Sequence, residues 1–172
     1  MGLKNREFGY NKSGTNIYQR TIKYEPTGVC AIFQGTVGSP SNLYYIHSDY
    51  MGSWLNITNS AGVVTNSYSY DAWGRPRNPK TWHADTISVN NAFVSISSYQ
   101  PRFDHGYTGQ EQMPGFGLIN YNARIYDPYS QRFMNPDRDI ADPSNAQNLN
   151  RYSYCLNNPP QIYRPYRKST DG

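Results

Sequence analysis

Three glycines, Gly52, Gly62 and Gly74, stand 10 and 12 residues apart, each at the end of a run of strand-like text. LYYIHSD leads into Tyr50-Met51-Gly52, SWLNIT into the four-residue loop Asn59-Ser60-Ala61-Gly62, and VVTNSYSYD into Ala72-Trp73-Gly74. Glycine reaches positive φ without the steric cost of a Cβ, so each of these positions is a place where the chain can reverse. Reversals about every 8–12 residues between short strand-like runs describe a meander of antiparallel strands. Nowhere does an apolar period near 3.6 residues run long enough for an amphipathic helix. The chain is expected to be all-β.

The text on either side extends this reading. Residues 1–16 are polar and rich in Gly and Asn, and are expected to be frayed. IYQRTIKYE and VCAIF read as strands joined through Pro26-Thr27-Gly28, and residues 35–42 as a loop. Residues 80–104 mix alternation with polar loop text and form a variable excursion. GYTGQE is a turn-bearing strand edge. GLINYNARIYD reads as one strand with Ile119, Tyr121, Ala123 and Ile125 on its apolar face, followed by a turn at Asp127-Pro128 and then QRFMNPD. Residues 138–150 are a polar loop with a short helical turn around Ser144–Gln147, capped by serine. NRYSYCL is a last strand, and residues 161–172 are an unanchored tail.

Leu, Ile, Val and Phe together make up 29 of the 172 residues, under the ~20% that marks a poor core former. The net charge of +4 is too modest for a chain kept open by self-repulsion. Seventeen tyrosines compensate, supplying ring area and strand propensity while keeping a hydroxyl that needs water or a partner. This suits a thin, half-wet sheet that folds but is weakly self-sufficient.

Several function classes drop out. The basic residues are scattered, with one cluster at Arg164, Arg167 and Lys168, and do not form the aromatic-interleaved stripe of a nucleic-acid interface. Cys30 and Cys155 lie far apart with no CxxC, leaving either a disulfide or two unpaired thiols, the second favoured. His47, His83 and His105 are isolated, so neither a metal site nor a cofactor motif is expected. The N-terminal text has no apolar h-region, and no stretch approaches the ~20 apolar residues of a membrane helix, so this chain shows no signal peptide and no membrane span.

Two strings echo one another: Tyr70-Asp71 with Arg75, and Tyr126-Asp127 with Arg132. Recurrence of this kind marks strand-turn units that form part of a larger wall. Asp71 is placed to bond the amides of the AWG turn, Gly74 allows the bend, and Arg75 can reach back to the carboxylate. HSDYMGS gathers His47, Asp49, Gly52 and Ser53 within seven residues, which invites a catalytic reading. A nucleophilic triad, however, needs a base held against its nucleophile by a separate element. Asp49 capping the turn at 50–52 is the better reading. The aromatics suit cross-strand pairs, with a glycan-binding surface as the alternative. The sequons Asn11-Lys12-Ser13 and Asn56-Ile57-Thr58 are of the number that chance supplies in so Asn- and Ser-rich a chain.

Taken in order, YYIHSDYMGSWLNITNSAGVV, YSYDAWGRPRNP, GYTGQEQMPGFGLINYNARIYDPYSQRFMNPD and NLNRYSYCLNNP resemble the Rhs/YD-repeat family, specifically its Rhs repeat-associated core domain in Bacteroidetes-like versions. The resemblance covers residues 43–160 apart from the excursion, leaving residues 1–42 as weakly matched strands and loop. Its motif residues are His47, Asp49 and Gly52; Tyr70, Asp71, Gly74 and Arg75; Gly109 and Gly117; Arg124, Tyr126 and Asp127; Arg132, Phe133 and Asp137; and Asn157, Asn158 and Pro159. The resemblance implies a long secreted or cell-surface bacterial protein whose repeats wind into a hollow β-shell. The core domain closes that shell and leads into a polymorphic toxin region. The implied partners are upstream repeats of a longer chain, a neighbouring shell and a toxin cargo.

Family members commonly end this region NNPxxxxDPxG, where an aspartyl autoprotease acts. Counting from Asn157-Asn158-Pro159, the aspartate falls on Arg164 and the glycine on Arg167. Aspartyl proteolysis needs two carboxylates sharing a proton around a water. A guanidinium stays charged and can neither share that proton nor activate the water. No autoproteolysis, no catalytic residue and no room for a toxin domain after Gly172 are therefore expected. The abrupt change after Pro159 also fits a decayed gene copy. The expectation is a non-enzymatic structural segment, with a surface carbohydrate- or cell-binding module as the alternative and an autoprotease that has lost its aspartate less favoured.

Overall fold

The computed structural model describes residues 4–10, 16–25, 28–35, 42–83, 103–113, 115–140 and 142–159. The expected tail at 161–172 with Arg164, most of the 80–104 excursion, the sequon at Asn11 and the Cys30 side chain lie outside the described residues. The chain divides into two compact units, Met1–Ser69 with His105–Gly109, and Tyr70–Asp104 with Gln110–Gly172. The fold is all-β: the described helical segments are 3-10 turns of three or four residues. None of the described helices is long and apolar enough to cross a membrane.

The first unit is a six-stranded antiparallel meander laid out in chain order: β1 (Lys4–Tyr10), β2 (Asn16–Glu25), β3 (Gly28–Gly35), β4 (Asn42–Ser48), β5 (Trp54–Asn59) and β6 (Val64–Ser67). Its registry explains how so few aliphatic residues suffice. Ile22 lies opposite Ile32, Ile46 opposite Ile57, and Ile32 opposite Tyr44, two residues from Ile46 on the same face. Four isoleucines thus form one apolar patch on one face, as two cross-strand pairs in neighbouring rows, each 8% exposed or less. Each contributes roughly 1.5–3 kcal/mol by burial. On the other face Phe33 and Tyr45 remain exposed, as a sheet with one wetter side allows.

The second unit holds a four-stranded antiparallel sheet ordered β12-β11-β10-β9, from β9 (Glu111–Met113), β10 (Leu118–Asn120), β11 (Ile125–Asp127) and β12 (Arg132–Phe133). A two-stranded ladder pairs β7 (Ser69–Tyr70) with β8 (Pro76–Arg77). The core here is aromatic, with Phe103, Tyr126, Phe133 and Tyr154 buried beside Ile119.

Five local expectations give way. Lys4–Tyr10 is a strand rather than a frayed end, paired to β2 from Lys4↔Lys23 onward, because strand pairing is made by backbone groups and does not require apolar side chains. VVTNSYSYD is not one strand. It breaks at Tyr68, whose N–H donates to the Leu55 carbonyl at 2.7 Å, and the chain then changes partner from β5 to β8. GLINYNARIYD is a hairpin, closed by Tyr121 N–H to Arg124 C=O at 2.9 Å with Asn122 at φ 64°. Ile119 and Tyr126, seven positions apart, would face opposite ways on a single strand; the hairpin sets them opposite one another, both buried. Ala123, placed on the apolar face by the alternation, is exposed.

Near the C-terminal end the short helical turn is Ala146–Leu149, and its cap is Asn145, which accepts from the Gln147 N–H at 3.0 Å, rather than Ser144. NRYSYCL is not a strand: Ser153 makes an isolated bridge to Arg132, and φ turns positive from Cys155 to Asn157, which no strand sustains.

Candidate functional site

The strand ends of this chain are held by one device used repeatedly. In the first instance Asp49 Oδ1 accepts from the N–H of Met51 at 2.9 Å and of Ser53 at 2.8 Å. Gly52 N–H donates to the Asp49 carbonyl and Asp49 N–H to the Ser53 carbonyl, both at 3.0 Å, with Gly52 at φ 84°. The same four bonds recur at the other two glycines. Asn59 Oδ1 accepts from Ala61 and Val63 N–H at 3.0 Å each, with Gly62 at φ 77°. Asp71 Oδ1 accepts from Trp73 N–H at 2.8 Å and Arg75 N–H at 2.9 Å, with Gly74 at φ 90°. Each is a three-residue hairpin loop whose glycine takes the left-handed position. The side-chain oxygen fastens amides that the turn would otherwise leave to water.

Asn59 was not among the sequence candidates, and the loop after it has three residues, not four, because Asn59 is itself the last residue of β5. The signal was present in the text. Asp or Asn three positions before Gly occurs at 49/52, 59/62 and 71/74.

The turn at Asp71 carries an additional bond: Arg75 Nε donates to Asp71 Oδ2 at 2.5 Å. Its echo is partial. Asp127 Oδ1 accepts from Tyr129 N–H at 2.8 Å, the loop is one residue longer, and Gln131 rather than glycine takes positive φ. Arg132 is exposed and opposite Asp127 in the register. The two tyrosines of the echo are both buried, and Tyr126 Oη donates to the Trp73 carbonyl at 2.9 Å, tying the AWG turn to β11. Arg77 donates to the Tyr70 carbonyl and lies over the Trp82 ring at 5.2 Å.

Arg124 and Asp137, separated in sequence, meet at 2.9 Å, and the Arg124 guanidinium lies 3.6 Å from the centre of the Phe133 ring. Gly117 takes φ 66° beside the β9–β10 reversal. Asn157 and Asn158 donate backbone N–H groups to the Tyr154 and Cys155 carbonyls, and Pro159 is buried. On the surface, the hydroxyl and backbone N–H of Ser144 hold the Asp142 carboxyl below the usual carboxylate range.

In the first unit the 105–109 segment locks onto the Asp49 turn. Trp54 N–H donates to the Gly106 carbonyl at 3.0 Å, Thr108 N–H to the Ser53 hydroxyl at 3.1 Å, and the Trp54 ring stacks on His105 at 5.3 Å. Gly109, at φ 68°, fits because it has no Cβ: one there would stand 3.2 Å from the Gly52 carbonyl oxygen. The HSDYMGS residues therefore serve three different partners. His47 Nε2 lies 3.0 Å from Thr58 Oγ1, Asp49 holds its turn, and the buried Ser53 receives Thr108. Among the described residues no group of three or more His, Cys, Asp or Glu is gathered for a metal.

No family model matches the chain. Over 116 residues, 67% of its length, it is 29% identical to the tRNA nuclease WapA of Bacillus subtilis strain 168, and the tRNA3(Ser)-specific nuclease WapA of Bacillus spizizenii matches to the same extent. The match spans only 4% of either protein. Among solved structures, the TcdB2-TccC3-Cdc42 crystal structure superposes on 93% of this chain with a TM-score of 0.53 and 18% identity, using 9% of its own length. The Photorhabdus luminescens Tc holotoxin pore superposes on 93% at a TM-score of 0.50 and 17% identity, using 8%. The likeness to the solved chains is one of fold.

Proposed function

We propose that this chain is a non-enzymatic structural segment of an Rhs/YD-repeat protein, helping to build or close a β-shell that encapsulates or presents a polymorphic toxin. The observation that carries the reading is the superposition: nearly the whole chain fits on about one-eleventh of a far longer TcdB2-TccC3 chain. The repeated Asp/Asn turn supports it, since a device that fixes hairpins locally lets a wall be built from short strands and little aliphatic core. The WapA match, over only 4% of that nuclease's length, supports reading this chain as a segment of a much longer protein; the setting under this reading is secreted or cell-surface. The partners under this reading are preceding repeats and an enclosed cargo.

The glycan-binding alternative loses Trp54, which is 2% exposed and covered by His105. The autoprotease reading rests on the position held by Arg164. With a peptide tag placed after Gly172 and the protein held in buffer for days, the intact mass is expected to stay that of the tagged chain. A released tag would overturn the non-enzymatic assignment.

A further inference from the structure

Tyr121, in the turn after β10, donates its hydroxyl to the hydroxyl of Tyr154 at 3.0 Å, and the two ring centres stand 5.7 Å apart. Tyr126 packs against both, 5.9 Å from Tyr121 and 4.6 Å from Tyr154. We infer that Tyr121 and Tyr154 form an oxidative modification site, at which a one-electron oxidant of the haem-peroxidase and peroxide class joins the two rings as dityrosine.

The chemistry follows from the contact. Removing one electron and the hydroxyl proton from a tyrosine leaves a phenoxyl radical whose unpaired spin sits on the oxygen and on the ring carbons next to it. Hydroxyls in contact bring those carbons of the two rings together. Two such oxidations, one on each ring, let the two ortho carbons form a C–C bond. Each ring then loses its ortho hydrogen as a proton and regains its phenol. The balance is two tyrosines and one hydrogen peroxide giving one dityrosine and two waters, with the peroxide reduced. Tyr154 is 7% exposed, so its coupling partner must come from the same molecule. Tyr121 is half-buried, which leaves it open to electron loss at the surface. The product links the β10–β11 turn to the segment at 152–157, 33 residues away, in a unit whose core is aromatic. This inference stands on the ring geometry and is independent of the shell reading.

The test is to treat the 172-residue chain with a haem peroxidase and limiting hydrogen peroxide. Dityrosine fluorescence, the intact mass and a tryptic map are then read. The expected product is a monomer lighter by two hydrogen atoms, with the peptide containing Tyr121 linked to the peptide containing Tyr154. The product's urea midpoint should shift upward. Tyr121→Phe keeps the ring and removes the hydroxyl; with its far-UV CD unchanged, it should lose this link. Should that variant fail to fold, urea-unfolded wild type replaces it and should give scattered links instead. Dityrosine absent from the folded chain, seated on other tyrosines, formed equally between these two positions in the unfolded chain, or produced in undiminished total yield by the folded Tyr121→Phe variant, would overturn the inference.

Discussion

Replacing Tyr126 by alanine is expected to remove the tertiary structure of the second unit in buffer, without denaturant. Tyr126 is fully buried, and its ring touches those of Tyr121, Phe133 and Tyr154 at centre distances of 5.9, 5.5 and 4.6 Å. Truncating a buried aromatic to alanine costs roughly 3–5 kcal/mol. Domains of this size hold only about 5–15 kcal/mol in total, and one poor in aliphatic residues stands at the low end. The hydroxyl adds a separable part. Tyr126→Phe keeps the ring but leaves the Trp73 carbonyl without that donor, at a cost of about 1–2 kcal/mol. Near-UV CD checks both: the second unit's share of the aromatic signal should vanish in Tyr126→Ala and persist, with a lower urea midpoint, in Tyr126→Phe. A Tyr126→Ala protein with its near-UV spectrum intact would mean that the aromatic cluster does not hold this unit together.

Asp71→Ala should cost about 2–3 kcal/mol, because it takes the acceptor from two turn amides and the partner from Arg75 at once. Asp71→Asn separates the two contributions. The turn at Asn59 makes the same two amide bonds with a neutral side chain, so an asparagine should hold the Asp71 turn as well. Only the charge on the Arg75 bond is lost, and with the Arg75 side chain 41% exposed that is worth no more than about 1 kcal/mol. Urea midpoints of the two variants give the comparison. Equal losses in both would show that the ion pair, not the amide bonds, carries the turn.

The turns were the most legible part of this fold because their chemistry is local. Asp49 and Asp71 needed only a glycine three positions on, and the structure places their carboxylates on the turn amides. Asn59 follows the same rule but reads as the first residue of a four-residue loop, because only the pairing with β4 shows that it ends β5. What could not be read was decided at longer range. The 117–127 segment alternates as a strand does, and only the pairing of Ile119 with Tyr126 shows that it folds back. Lys4–Tyr10 has the composition of a frayed end and becomes a strand through its neighbour β2. The Arg124–Asp137 pair and the hold of 105–109 on the Asp49 turn join residues that no spacing rule connects.

The proposed role as a piece of a larger β-wall is tested most directly by urea unfolding of residues 1–172 alone, followed by Tyr/Trp fluorescence and far-UV CD. Unfolding cooperativity scales with the surface buried in a single folded body. A segment whose sheet edges are completed by neighbouring repeats should unfold at low urea in a shallow transition, with the two probes giving different midpoints. One steep transition, coincident by both probes, would show a self-standing domain and contradict the shell-segment account.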